Sequence, residues 1–197
     1  MRKVLRNTAV TVLGLLCGLL VFFPWQPLAG TAASTAASVA AENGIFLTVA
    51  ASEVSGLFSK SFTYRGVNAD FPVFRFSAGE ISITPAILSS LFSPTKSCRL
   101  AMGRGSVVPV TRQAFEWNGG TADVSLTPQS LMIENIAFTG KTAVTGFAEL
   151  SRETGKLTRA KMLIKVPAEL DRALEMAGKM GMAPLTKVKS GEWRIER

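Results

Sequence analysis

Histidine is absent from the 197 residues. With it go Ser–His and Cys–His hydrolytic sites, His-ligated zinc and imidazole acid–base chemistry. Cysteine occurs only at Cys17 and Cys98. The first lies in an apolar run and the second far downstream, so the two do not form a pair. A lone Cys98 in an oxidising compartment reads as a buried residue. Charge is scarce too: 18% of residues against ~25% in ordinary soluble domains. With 47% apolar residues, the chain is neither disordered nor collagen-like, and its length fits one domain with an appendage.

The net charge of +8 is unevenly spread. Residues 1–41 hold three bases (Arg2, Lys3, Arg6) and no acid; residues 42–151 balance; residues 152–197 hold eleven bases and six acids. A nucleic-acid module interleaves its bases with aromatics, but the basic tail carries only Trp193, so no nucleic-acid partner is expected. One end reads as a topology signal and the other as a basic surface that suits anionic lipid.

Residues 8–25 carry no charge and end in Phe22-Phe23-Pro24-Trp25. As a helix they would reach ~27 Å, close to a bilayer core. Residues 1–27 are therefore expected to form a cytoplasmic tip and a transmembrane helix, anchored by Leu13, Leu16, Leu20, Phe23 and Trp25. The early bases keep the N-terminus in the cytoplasm, and the rest of the chain is expected on the far side of the membrane. A cleaved signal peptide fits less well, because the apolar run is long and the small residues follow a Pro-Trp-Gln-Pro break. Residues 28–43 are an Ala-rich helix or linker. Ala29, Ala33, Ala37 and Ala41 lie on one helical face, smooth enough for close approach of another helix or a sheet, with a partner helix the expected contact.

From residue 44 to 197 the pattern changes to period-2 alternation punctuated by Gly, Pro and Asn. Candidate strands include Ile45–Val49, Phe58–Tyr64, Phe71–Phe76, Ile81–Ile83, Ser106–Val110, Gln113–Trp117 and Ala122–Leu126. Leu131–Phe138, Thr142–Leu150, Lys156–Val166 and Trp193–Ile195 continue the series. Short helices are predicted after Thr84-Pro85 and over Val166–Met180. The fold class is mainly β: an antiparallel, curved sheet with short helices behind the transmembrane helix. Ile81-Ser82-Ile83-Thr84-Pro85-Ala86-Ile87-Leu88 echoes in Val124-Ser125-Leu126-Thr127-Pro128-Gln129-Ser130-Leu131, and more weakly in Leu163–Leu170, the period of a stacked unit.

Catalytic motifs do not assemble. Gly140-Lys141-Thr142 lacks the upstream glycine of a phosphate loop, and Asn135 stands there instead. Ser93-Pro94-Thr95-Lys96 has no partner motifs of a Ser–Lys acyl enzyme. Gly103-Arg104-Gly105 lacks the third glycine of a dinucleotide loop. The acids Glu80, Glu116, Asp123 and Glu134 alternate as solvent-facing residues. No catalytic residue, metal site or cofactor is expected. Phe58, Phe62, Phe74, Phe76, Met176 and Met180 are candidates for an apolar groove, or for ordinary core beneath the helices.

Several landmarks in order resemble GspN-type proteins of bacterial type II secretion: Phe22-Phe23-Pro24, Glu42-Asn43-Gly44, Val54-Ser55-Gly56 and Tyr64-Arg65-Gly66-Val67. Ile81–Leu91 and Gly146-Phe147-Ala148-Glu149-Leu150 continue the resemblance, which also extends to the broader AsmA-type class of anchored periplasmic β proteins. It implies a non-enzymatic, inner-membrane-anchored accessory or scaffold component of type II protein secretion, with secretion-machinery proteins as partners. The alternative is a lipid-binding or lipid-transport protein holding phospholipid in the apolar groove.

Overall fold

The computed structural model describes residues 11, 14, 15, 18, 21–57, 59–87, 93–109, 114–179 and 185–197. Helix α1 (Trp25–Glu42) leads into strands β1 (Phe46–Thr48), β2 (Ala51–Ser55), β3 (Ser61–Asp70), β4 (Phe74–Pro85), β5 (Lys96–Met102) and β6 (Gly105–Pro109). Strands β7 (Phe115–Trp117), β8 (Gly119–Leu126), β9 (Ser130–Thr139), β10 (Ala143–Ser151) and β11 (Leu157–Lys165) follow. Helix α2 (Ala168–Lys179) and strands β12 (Leu185–Lys189) and β13 (Glu192–Glu196) complete the chain.

The thirteen strands of the described residues join one antiparallel sheet, in the order β1-β3-β4-β5-β8-β9-β10-β11-β13-β12. β2 extends the β1 edge along β3, while β6 and β7 extend β5 and β8 along the neighbouring half of β4. The layout is a meander, which short turns dictate: antiparallel neighbours need only a few connecting residues. Thr127 builds one such turn, its Oγ1 accepting from the Ser130 N–H at 2.9 Å. That turn is the second copy of the Thr-Pro echo, and it returns the chain as a strand. The third copy opens α2 instead, where Glu169 and Asp171 stand in the first turn.

A staggered line of irregularities crosses the sheet. Gly66 in β3 has φ +60° and faces Gly79 in β4. Glu80 and Gly79 bond across to Gly103 and Arg104, which separate β5 from β6. Asn118 separates β7 from β8; Asn135 (φ +51°) and Gly146 (φ +135°) lie at register shifts in β9 and β10. Each irregularity bends its strand and adds twist, so together they curl the sheet.

One face of the curl is polar and carries cross-strand ion pairs: Arg65–Glu53, Arg65–Glu80, Arg99–Asp123, Arg159–Glu149 and Lys165–Glu192. These pairs are mostly exposed and each contributes at most ~1 kcal/mol. They fix register more than they stabilise. The other face is apolar, and α1 and α2 cover its two ends. Burial between them is shallow: the buried apolar residues are mostly alanines, with Val67, Trp117, Val166, Leu170 and Trp193. At the α2 end, Val166, Leu170 and Trp193 form a cluster against Phe115, Ile164, Leu174 and Leu185.

The helix expected from Leu28 begins at Trp25, with Pro24 as its N-cap. Pro27 is accommodated in the first turn, where a backbone N–H has no intrahelical acceptor. Among the described residues, no helix is long and apolar enough to cross a membrane. Leu13, Leu16 and Leu20 of the expected span lie outside those residues. Phe23 is 41% exposed. Trp25 packs edge-on against Phe62 of β3, ring centroids 6.2 Å apart.

Candidate ligand groove beneath the N-terminal helix

Helix α1 is held by its first turn. Gln26 Nε2 donates to Ser52 O at 2.6 Å, and the Val54 N–H donates to Gln26 Oε1 at 2.9 Å. One side-chain amide thus occupies the free edge of β2 as a neighbouring strand would, blocking an edge that could otherwise pair with another chain. Next to it, the ammonium of buried Lys60 lies 5.9 Å from the Trp25 ring and donates to Gly56 O. Gln26→Ala should leave two backbone groups without that partner and weaken helix docking by ~1 kcal/mol. The check is amide exchange at Val54, expected to accelerate about fivefold; an unchanged rate would show that Gln26 does not hold the helix.

The alanine stripe meets the chain's own strands. Ala29 is fully buried, Ala33 and Ala37 are half-buried, and Ala41 at the end is exposed. Small side chains let the helix axis come close over β1 and β2. Ala33 and Ala37 lie across from Val49, Ala50, Ala51 and Ser52.

Beside this contact the sheet leaves a cavity of about 560 Å³. Ala32, Ala33 and Ala36 of α1 form its roof, and Val67, Ala69, Phe74, Phe76, Ile81 and Ile83 lie among its floor and wall residues. The line of irregularities makes this floor. Tyr64 shares a face with Val67, and Phe76 with Ile81, pairs that unbroken alternation would put on opposite faces. Phe71 and Phe74 stack at 4.2 Å at one end. Phe76 and Trp117 stack at 5.8 Å deeper along the sheet. Burial pushes the Tyr64 phenol up, so it remains a neutral hydroxyl.

Of the expected groove residues, Phe74 and Phe76 line this cavity. Phe62 sits beside it under Trp25. Phe58, Met180 and the side chain of Met176 lie outside the described residues. Alternation alone missed Val67, Ala69 and the roof alanines; the signal available was the glycine pair Gly66 and Gly79. Cys98 is partly buried, and burial followed by the nearby Asp123 carboxylate pushes its thiol up, which disfavours the reactive thiolate. Among the described residues no group of three or more His, Cys, Asp or Glu could hold a metal ion.

The groove can hold an apolar chain. It has few polar groups to orient a substrate and no assembled acid–base pair. No curated protein and no solved structure matches the sequence. The family described as "Type II secretion system protein GspN-like, Synergistales" matches over residues 2–197. A match spanning nearly the whole chain, on a curled antiparallel sheet, decides the assignment: the chain belongs to the GspN-like type II secretion system proteins.

Proposed function

We propose that the chain is a non-enzymatic accessory component of type II secretion that acts by binding, and that the groove beneath α1 holds a hydrocarbon chain of a phospholipid. The membership suggests an inner-membrane-associated secretion component. On this reading the N-terminal segment is the anchor, and exposed Leu15, Phe22 and Phe23 are its lipid-facing side chains. The sheet then stands in the periplasm with α1 next to the bilayer, and the groove opens where lipid is at hand.

The carrying observation is the cavity itself: about 560 Å³, lined by apolar side chains and within the ~300–1,000 Å³ usual for small-molecule sites. Native mass spectrometry of the full-length protein in mild detergent, with lipid extraction, tests it. Phospholipid should survive delipidating washes. Ala36→Phe, a change on an exposed roof position, should fill the groove and leave the circular dichroism unchanged. A steric clash of this kind with the bound chain costs ~1–3 kcal/mol, roughly a 5- to 150-fold loss of lipid retention. A lipid-free wild type that retains secretion subunits would replace this reading with the scaffold one. In that case the partner would meet α1 on its outward side, where Leu28 and Val39 are 44% and 52% exposed.

A further inference from the structure

A basic strand interruption and a basic turn, each bordered by glycine and each failing as a nucleotide motif, converge on the polar side of the sheet. Gly103 and Arg104 interrupt the line from β5 into β6, which Gly105 opens, and Gly140-Lys141-Thr142 joins β9 to β10. Arg104 and Lys141 line one cavity of about 560 Å³ with Ser77, Ser106, Asn118 and Glu116. The two segments are brought together by backbone geometry. The Gly79 N–H donates to Arg104 O at 2.8 Å, the Asn118 N–H to Thr139 O at 2.7 Å, and the Thr142 N–H to Glu116 O at 2.8 Å. Glycine is required in both segments. A Cβ on Gly105 would meet Ser77 O at 2.5 Å, and one on Gly140 (φ +142°) would meet the Asn118 nitrogen at 2.6 Å.

The charges in the cavity are unequal in their commitments. Lys141 Nζ is 2.7 Å from Glu116 Oε2; that hydrogen bond and charge, with a smaller contribution from Glu169, hold its ammonium above the usual range. Arg104 forms no ion pair among the described residues, and the Ser77 and Ser106 hydroxyls and the Asn118 amide have no side-chain partner there. The pocket therefore offers one uncommitted guanidinium, with neutral donors around it and a carboxylate that occupies the second cation. One residue behind Lys141, the buried Thr142 hydroxyl has no hydrogen-bond partner. A guanidinium fork with hydroxyl and amide donors is the chemistry that receives an oxyanion.

We infer that this pocket binds a singly charged phosphoryl oxyanion, received by Arg104 with Ser77, Ser106 and Asn118, and that Glu116 competes with the ligand for Lys141. The oxyanion could come from free phosphate or from the phosphodiester of a lipid headgroup. The full-length protein in neutral detergent is titrated calorimetrically with inorganic phosphate at mildly acidic pH, and separately with glycerophosphoglycerol. Saturable binding of either supports the site. Phosphate alone identifies the free ion as the source; tighter binding of the diester identifies the headgroup. Arg104→Gln should weaken binding at least about tenfold, as loss of a charge-assisted pair does. Glu116→Gln should tighten it about threefold or more by releasing Lys141, which a purely structural ion pair would not do. The inference is overturned by absent binding of both probes at tens of millimolar, by an Arg104→Gln protein that binds as wild type, or by no gain in Glu116→Gln.

Discussion

Replacing Asp171 with alanine should loosen the whole C-terminal end of the sheet, lowering the melting temperature by roughly 5–10 °C. Asp171 sits in the first turn of α2 and is 8% exposed. Its carboxylate accepts from the Trp193 indole at 2.7 Å, from the Gly191 N–H at 3.2 Å and from Lys187 Nζ at 2.8 Å. One side chain thus ties α2 to β12, to the turn after it and to β13. Alanine removes the acceptor and leaves a buried indole N–H and a backbone N–H without their partner, each with a desolvation cost, while Lys187 keeps Glu175 at 3.7 Å. Amide exchange at Gly191 and Trp193 should accelerate far more than exchange in β3 or β4. Uniform protection across the sheet would show that the network does not hold this end. Asp171→Asn keeps an Oδ1 acceptor for Trp193 and Gly191 and loses only the charge-assisted hydrogen bond to Lys187, so its loss should be smaller.

The same network sets a pH window. The Lys187 hydrogen bond, opposed by burial and aided by Trp193 and Gly191, holds the Asp171 carboxyl below the usual carboxylate range. A carboxyl with a depressed folded-state pKa stabilises the fold above its unfolded value, ~3.9. That contribution is lost as pH falls through the lower folded value. Lys187 is the mirror case: the Asp171 hydrogen bond raises its pKa, so its contribution is complete below the unfolded value and disappears as pH rises through the raised one. Glu192 behaves as Asp171 does, since Lys165 and Lys189 outweigh the opposing burial. The C-terminal end should therefore be most stable across the neutral range and be among the first parts to loosen in acid.

Alternation made the sheet legible wherever large apolar residues carried it. Leu131–Phe138 and Lys156–Val166 in the sequence correspond to β9 and β11 within a residue or two. Strands β2 and β12 were not legible, because Ala51-Ser52-Glu53-Val54-Ser55 and Leu185-Thr186-Lys187-Val188-Lys189 hold few large apolar side chains and are edge strands that form by pairing. In β5, Cys98, Leu100 and Met102 do alternate, but Lys96 and Arg99 lower its apolarity and the segment is not among the candidate strands. The Ala-rich face was legible as a face. Its counterpart was not, since a smooth helical stripe accepts a strand edge as readily as a helix.

The groove was half legible for a related reason. Phe74 and Phe76 announce themselves as aromatics on one face, yet the floor depends on a change of phase at Gly66 and Gly79. Strict alternation assigns Val67 and Ala69 to the face opposite Tyr64, and only backbone geometry returns them. The oxyanion pocket has the same origin. Its strand interruption and its turn match no phosphate-loop or dinucleotide motif, and they meet because a staggered line of irregularities runs from β4 toward β10.

Gly146→Ala should be the most damaging small substitution along that line. Gly146 has φ +135°, a region open in practice to glycine alone, and it stands at the register shift between β9 and β10. A methyl group there would overlap Lys161 O and lie 2.8 Å from Met162 Cα, both backbone atoms of the paired strand β11. No side-chain rotation relieves that overlap, so β11 must separate from β10 or the irregularity must disappear. Strain at such a residue alone costs ~1–3 kcal/mol, and the backbone clash adds to it. A melting-temperature loss of roughly 8 °C or more follows for a chain of this size. Gly155 provides the internal control. It also has positive φ, +64°, but nothing stands within 4 Å of the added methyl. Gly155→Ala should therefore cost only ~1 kcal/mol, about 2–4 °C. Differential scanning calorimetry of both variants decides the matter. Equal losses would mean that backbone conformation alone sets the cost and that the β10–β11 contact can yield. A much larger loss at Gly146 would identify the irregularity as the point on which the curl of the sheet depends.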